Sequence, residues 1–289
     1  MATLVNRGDE IKIIAEEELA QEIEEKVQNL INYVSTHKEL AEDNIKSILA
    51  GIIEEIDVEN EDDNLILHGR NNKKIKALTA TQYKLIKAVR DNEIVIAIGP
   101  AGTGKTYTSV ALAVKALKNK EVRRIILTRP AVEAGENLGF LPGDMREKID
   151  PYLRPLYDAL DDMLPADKLQ FYLDRKIIEL APLAFMRGRT LDSAFVILDE
   201  AQNCSDLQLK MFLTRMGPSA KFLVNGDLTQ IDLPFSQKSG LLRASKILKH
   251  IKGLEVLEFN VQDVTRHKIV KDIIRAYSKK SPDQKKNID

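Results

Sequence analysis

The chain has 289 residues, 44% of them hydrophobic, with 43 basic side chains against 44 acidic for a net charge of −1. That is enough for one large α/β domain and a small accessory one, while no apolar run approaches the ~20 residues a membrane helix needs. Cys204 is the only cysteine and the four histidines are scattered, which excludes an intrachain disulfide and any zinc-type spacing and makes a cytoplasmic, reducing location the expectation.

Residues 1–70 read as an acidic accessory segment, with 18 Asp/Glu against 6 Lys/Arg. Its first residues lack the apolar core of a signal peptide. A short strand is predicted at 11–14. Leu19, Ile23, Val27, Leu30, Ile31 and Val34 recur at helical spacing, as do Ile45, Ile48, Leu49, Ile52 and Ile56, so helices are predicted over 17–34 and 43–56. An acidic linker at 59–64 leads to a small strand at 65–67 and a loop at 69–74.

Residues 71–289 reverse the charge balance, with 26 acidic against 37 basic. A basic body suits an anionic partner beyond a nucleotide, although basic residues coating solvated helix faces give the same count. From about residue 78 strands and helices alternate, which predicts a mostly parallel sheet covered on both faces, a single RecA-like core over 71–278. Strands are expected at 94–98, 124–128, 177–180, 195–198, 221–225 and 254–259. The runs Val196-Ile197-Leu198 and Phe222-Leu223-Val224 read as central strands. Residues 279–289, charged and polar with Pro282 among them, are expected to form a disordered tail.

The chemistry begins at Thr81-Gln82, which opens a helix; a Gln amide can pair N6 and N7 of adenine, or this is a plain helix start. The strand 94–98 then runs into Gly99-Pro100-Ala101-Gly102-Thr103-Gly104-Lys105-Thr106, with a helix predicted over 107–117. This strand, glycine-rich turn and helix form a complete phosphate-binding loop for ATP. Backbone N–H groups and the helix N-terminus cradle phosphate oxygens, Lys105 reaches the β and γ phosphates, and the Thr106 hydroxyl suits Mg²⁺.

Arg129 ends the second core strand, and Arg187-Gly188-Arg189-Thr190 precedes the strand carrying Asp199. Loops of this kind can grip phosphates of a bound strand, so Arg129, Arg187 and Arg189 are nucleic-acid candidates; salt bridges to Glu133, Glu136 or another carboxylate are the alternative. A helix over 150–160 is entered through Pro151. Tyr152, Tyr157, Phe140 and Phe185 are either core residues or stacking platforms.

Phe195-Val196-Ile197-Leu198-Asp199-Glu200 carries two carboxylates to a strand's C-terminal edge, where open α/β sheets place ligands. Asp199 would position Mg²⁺ and Glu200 the attacking water, which predicts hydrolysis and not only binding; the alternative is an acidic helix start. The next strand ends in Gly226-Asp227-Leu228-Thr229-Gln230, and Gln230 can report the γ-phosphate by hydrogen bonding.

These segments resemble the PhoH family. So do 128–144, beginning Thr128-Arg129-Pro130, 150–160, beginning Asp150-Pro151-Tyr152, and 181–191, beginning Ala181-Pro182-Leu183. Residues 195–203 and 226–233 continue the likeness, and Asp263-Val264-Thr265-Arg266-His267 closes it. The likeness runs from about 68 to 278. Asn225 stands where the family usually has Thr, and Thr265 where Val or Ile is usual.

The resemblance implies a cytoplasmic bacterial ATPase related to superfamily 1 helicases. It also implies a role in RNA metabolism, with an endoribonuclease of the YbeY type or the ribosome as partner. It makes Arg266 the candidate arginine finger. The body is long enough for one motor domain, so a finger acting in trans implies a homo-oligomeric ring. The N-terminal segment resembles the second half of a KH-like module and lacks the Gly-x-x-Gly half that clamps nucleic acid. Two further functions are open. A nucleotide-switched adaptor would control a nuclease or ribosome partner without unwinding. A small-molecule kinase is the other, against which the Asp199-Glu200 pair and the Gly226-Asp227-x-x-Gln230 unit argue.

Overall fold

The computed structural model describes residues 3–7, 10–16, separate positions between 19 and 45, 64–130, 145–234 and 237–265. It divides into two units, Met1–Asn60 and Glu61–Asp289. Among the described residues no helix is long and apolar enough to cross a membrane.

In the first unit, β1 (Thr3–Arg7) pairs antiparallel with β2 (Glu10–Ile14), Thr3 opposite Ile14 and Arg7 opposite Glu10. The strand expected at 11–14 is there. Its partner was not anticipated, because Thr3-Leu4-Val5-Asn6-Arg7 is too short and mixed to show a clear alternation. The described positions between 19 and 31 are helical, in line with the helix expected there. The helix expected at 43–56 lies outside the described residues apart from Ile45, and the tail at 279–289 lies wholly outside them.

The second unit opens with a hairpin, β3 (Leu65–His68) and β4 (Lys74–Lys76). The stretch expected to be loop ends in a strand. The chain reverses through Asn71 and Asn72, both left-handed with φ of 53° and 59°, a conformation Asn tolerates better than most residues. Thr79 caps α1 (Ala80–Asp91) by accepting a hydrogen bond from the Gln82 N–H.

The remaining elements are β5 (Ile94–Ile98), α2 (Lys105–Lys118), β6 (Arg124–Arg129), α3 (Met145–Met163), α4 (Ala166–Asp174), β7 (Ile178–Pro182), β8 (Ala194–Leu198), α5 (Asp206–Leu213), β9 (Lys221–Gly226), α6 (Gly240–Leu248) and β10 (Leu254–Glu258). Six strands form one sheet in the order β10-β5-β9-β8-β6-β7, every pairing parallel. The fold is the α/β, RecA-like core that the alternation predicts.

Both faces are buried, and residues alternate between them. Val95, Ala97, Ile125, Leu127, Phe195, Ile197 and Leu223 pack with α2 and α3 residues such as Val114, Leu156 and Leu160. Ile96, Ile98, Ile126, Val196, Leu198, Phe222 and Val224 pack on the other side with Phe212 of α5 and Leu241 of α6. The strand period of 2 therefore splits each continuous apolar run between two cores. The parallel register sets Ile98 beside Gly226 and Thr128 beside Leu198. The functional segments thus leave the sheet at one edge.

Candidate nucleotide-binding site

At that edge the chain turns from β5 into α2 through residues 99–104. Gly104 takes φ of +77°, and a Cβ there would stand 2.8 Å from the Gln82 amide nitrogen. A Cβ on Gly99 would meet the Phe259 backbone oxygen at 2.5 Å. One glycine is needed for its backbone conformation and the other for close approach.

Lys105 is 8% exposed. Its ammonium donates to the carbonyls of Gly99 at 2.7 Å and Pro100 at 2.8 Å and to the Thr103 hydroxyl at 3.2 Å. Burial pushes its pKa below the usual value, opposed by the nearby carboxylates of Asp227, Asp199 and Glu200. A phosphate arriving at the loop would offer these donors stronger, charge-assisted acceptors.

Gln82 comes up from beneath. Its amide nitrogen donates to the Thr103 carbonyl at 2.9 Å, and its amide oxygen accepts from the Leu78 N–H at 2.7 Å. It is 3% exposed, so in this arrangement it braces the loop. One amide N–H and one lone pair remain.

Opposite the loop stand the acids. The Thr106 hydroxyl donates to Asp199 Oδ1 at 2.7 Å, joining α2 to the end of β8. Asn225 Nδ2 approaches the same oxygen at 3.3 Å, and Asn225 Oδ1 accepts from Ser109 Oγ at 3.0 Å. Asn225 is therefore a buried bridge between α2 and Asp199.

Glu200 has φ of 56°. A left-handed non-glycine costs on the order of 1–3 kcal/mol and persists only where its surroundings hold it. Here Gln202 Nε2 donates to Glu200 Oε2 at 2.7 Å and to the Gln230 carbonyl at 3.1 Å, while Gln202 Oε1 accepts from the Asp227 N–H at 2.9 Å. Gln202 thus ties the Asp199-Glu200 segment to the Gly226–Gln230 turn. Asp227 Oδ1 accepts from the Thr229 N–H and hydroxyl, and its buried Oδ2 has no hydrogen-bond partner among the described residues.

Lys105, Thr106, Asp199, Glu200, Asp227 and Gln230 line one cleft of about 260 Å³. The side chain of Gln230 is exposed at its rim. Hard oxygens of Thr106 and Asp199, with the unpartnered Asp227 Oδ2 nearby, fit Mg²⁺; phosphate oxygens and water complete such a shell, so no dedicated protein cage is required.

The three arginines expected at nucleic acid fall differently. Arg189 makes a two-pronged pair with Glu179 at 2.7 and 2.8 Å. Arg129 pairs with Asp199. Both follow the salt-bridge alternative, while Arg187 is exposed. Glu133, Glu136 and Phe140 lie outside the described residues. Tyr152 and Tyr157 are half-buried, and Phe185 is 52% exposed and no core residue. Arg266 also lies outside the described residues; Thr265, just before it, bonds the Gly102 carbonyl through its N–H at 3.0 Å.

Sequence reasoning missed Gln202 and the partner of Arg129. Gln202 was visible two residues after Glu200, but its role depends on the left-handed turn at Glu200, which no residue pattern announces.

Fold and site together define a P-loop, ATP-binding protein. The family model described as PhoH-like protein matches residues 74–278, and one described as IstB-like ATP binding protein matches 14–132. A PhoH-like protein of Bacillus subtilis (strain 168) is 48% identical over 280 residues, 96% of this chain and 88% of that protein. One from Synechocystis sp. (strain ATCC 27184 / PCC 6803 / Kazusa) is 44% identical over 280 residues, covering 96% and 85%. Protein PhoH of Escherichia coli (strain K12) is 41% identical over 246 residues, covering 84% and 68%. The chain belongs to the PhoH-like family.

Proposed function

We propose that this chain is a Mg²⁺-dependent ATPase that hydrolyses ATP to ADP and phosphate and couples the reaction to RNA remodelling or processing. The observation that carries the reading is the Thr106–Asp199 hydrogen bond with Glu200 beside it in the same cleft. Lys105 would bind the β and γ phosphates. Thr106 and Asp199 would hold Mg²⁺, which would supply neutralisation of the phosphate charge. Glu200, its side chain 41% exposed and oriented by Gln202, would align water and take its proton as the water oxygen bonds the γ phosphorus and the bond to ADP breaks. For Gln82 to pair adenine, its buried amide would have to leave the bonds to Leu78 and Thr103.

The resemblance supports a transition-state role for Arg266, since a guanidinium suits the charge that develops on the transferred phosphate. Acting in trans, Arg266 would require a homo-oligomeric ring. The basic balance of residues 71–289 supports an RNA partner, with Arg187 an exposed contact.

One observation favours a second reading. Gln202 joins Glu200 to both Asp227 and Gln230, a link able to report nucleotide state at the protein surface. On that reading the chain is a switched adaptor for an endoribonuclease of the YbeY type or for the ribosome.

The test measures ATP binding and phosphate release, with and without single-stranded RNA. Lys105→Ala should abolish binding. Glu200→Gln should keep binding and slow turnover by about 10²–10⁴, the usual worth of a general base. Equal binding and turnover in both variants and wild type would refute the assignments. Strong RNA stimulation favours RNA remodelling; turnover unmoved by RNA favours the adaptor.

A further inference from the structure

Arg129 closes β6 with its side chain only 14% exposed, and the Asp199 side chain it meets is 2% exposed. Its Nε and Nη2 both donate to Asp199 Oδ2, at 2.8 and 2.5 Å. Nη2 also lies 3.5 Å from Glu200 Oε1, and Nη1 donates to the Tyr152 carbonyl of α3 at 2.8 Å. The other oxygen of Asp199 faces Thr106 and Asn225. A single buried carboxylate therefore carries a guanidinium on one oxygen and, on the other, the hydroxyl that suits a divalent cation.

A carboxylate this buried needs a positive partner. Two cations crowded on it repel each other across a short distance in a poorly screened place. Gripping the phosphates of a nucleic acid requires a guanidinium turned to solvent, and all three nitrogens of Arg129 are engaged inside the protein.

We propose that Arg129 is an exchangeable counter-ion for Asp199. It neutralises the carboxylate until a divalent cation arrives with nucleotide, then yields Oδ2. The strength of its grip thereby sets how strongly metal favours nucleotide binding. The exchange is tied to α3 because the same guanidinium holds the Tyr152 carbonyl. The proposal rests on the reading of the cleft as a Mg²⁺-nucleotide site and adds to it an internal competitor.

The experiment titrates the full chain with fluorescent methylanthraniloyl-ADP, once in EDTA and once in saturating Mg²⁺. The ratio of the two dissociation constants is the metal enhancement, a binding linkage that needs no turnover. A purely structural role for Arg129 would shift both constants alike and cancel in the ratio. Arg129→Gln removes the competing charge, so the ratio should rise on the order of tenfold, the change that 1.4 kcal/mol brings. Arg129→Lys keeps charge without the two-pronged geometry, and its ratio should lie between wild type and Arg129→Gln. Should Arg129→Gln fail to fold, Arg129→Lys alone must still exceed wild type. A ratio equal to or below wild type in the folded variants overturns the exchange. Absence of saturable binding in wild type, or binding that Lys105→Ala leaves unchanged, sinks the nucleotide reading itself.

Discussion

Glu179 and Arg189 are the clearest charged pair away from the cleft, with side chains 26% and 29% exposed and two short bonds between them. The hydrogen bond from Arg189 holds the Glu179 carboxyl below its usual range, against the opposing effect of burial. A depressed carboxylate contributes stability above its unfolded pKa and loses it as pH falls through the folded value. Glu179→Gln should therefore cost about 1 kcal/mol near neutral pH, the upper end for a partly exposed pair. The deficit should shrink as pH drops below the usual Glu value of 4.5, which urea unfolding at a series of pH values would check. Arg189 also shows how far residue types carry: an Arg after Gly188 suits phosphate and carboxylate equally, and only the position of Glu179 on β7 chooses between them.

Elements were legible in proportion to the length of their apolar runs. The four inner strands of the sheet carry apolar runs of three residues or more, the edge strands β7 and β10 are shorter runs broken by Glu179 and Glu255, and α2 and α3 carry a long apolar stripe, so all were foreseen to within a few residues. The short helices α4, α5 and α6 and the strand β4 were not, because three to nine residues hold too few repeats to fix a period. A capping signal was nonetheless present at α5. Ser205 accepts from the Gln208 N–H, and Gln208 Oε1 accepts in return from the Ser205 N–H. Ser205→Ala should remove that reciprocal cap and destabilise the protein by about 1 kcal/mol. A urea midpoint equal to wild type at unchanged slope would contradict it.

At the scale of the molecule, every described group lining the cleft belongs to Glu61–Asp289. That unit has its own cores on both sides of its sheet. Residues 61–289 produced alone should therefore bind methylanthraniloyl-ADP with the affinity of the full chain. Loss of saturable binding by a folded 61–289 fragment would show that the acidic segment takes part in the site.

The amino-acid sequence by itself determined the class of fold and the loop that meets phosphate. Alternating apolar runs and helices specify a parallel sheet, and Gly99 to Thr106 can serve phosphate wherever a strand delivers them to a helix. It also named Asp199 and Glu200, since a strand delivers the residues at its C-terminal end to the sheet edge. Only the tertiary structure decided their partners. Arg129 meets Asp199 because β6 and β8 are neighbours in register, 70 residues apart along the chain. Gln202 meets Asp227 because β8 and β9 are parallel neighbours, with Leu198 beside Val224. Side-chain pairing of this kind depends on strand order, and strand order is set by packing of the whole sheet, which no local pattern records.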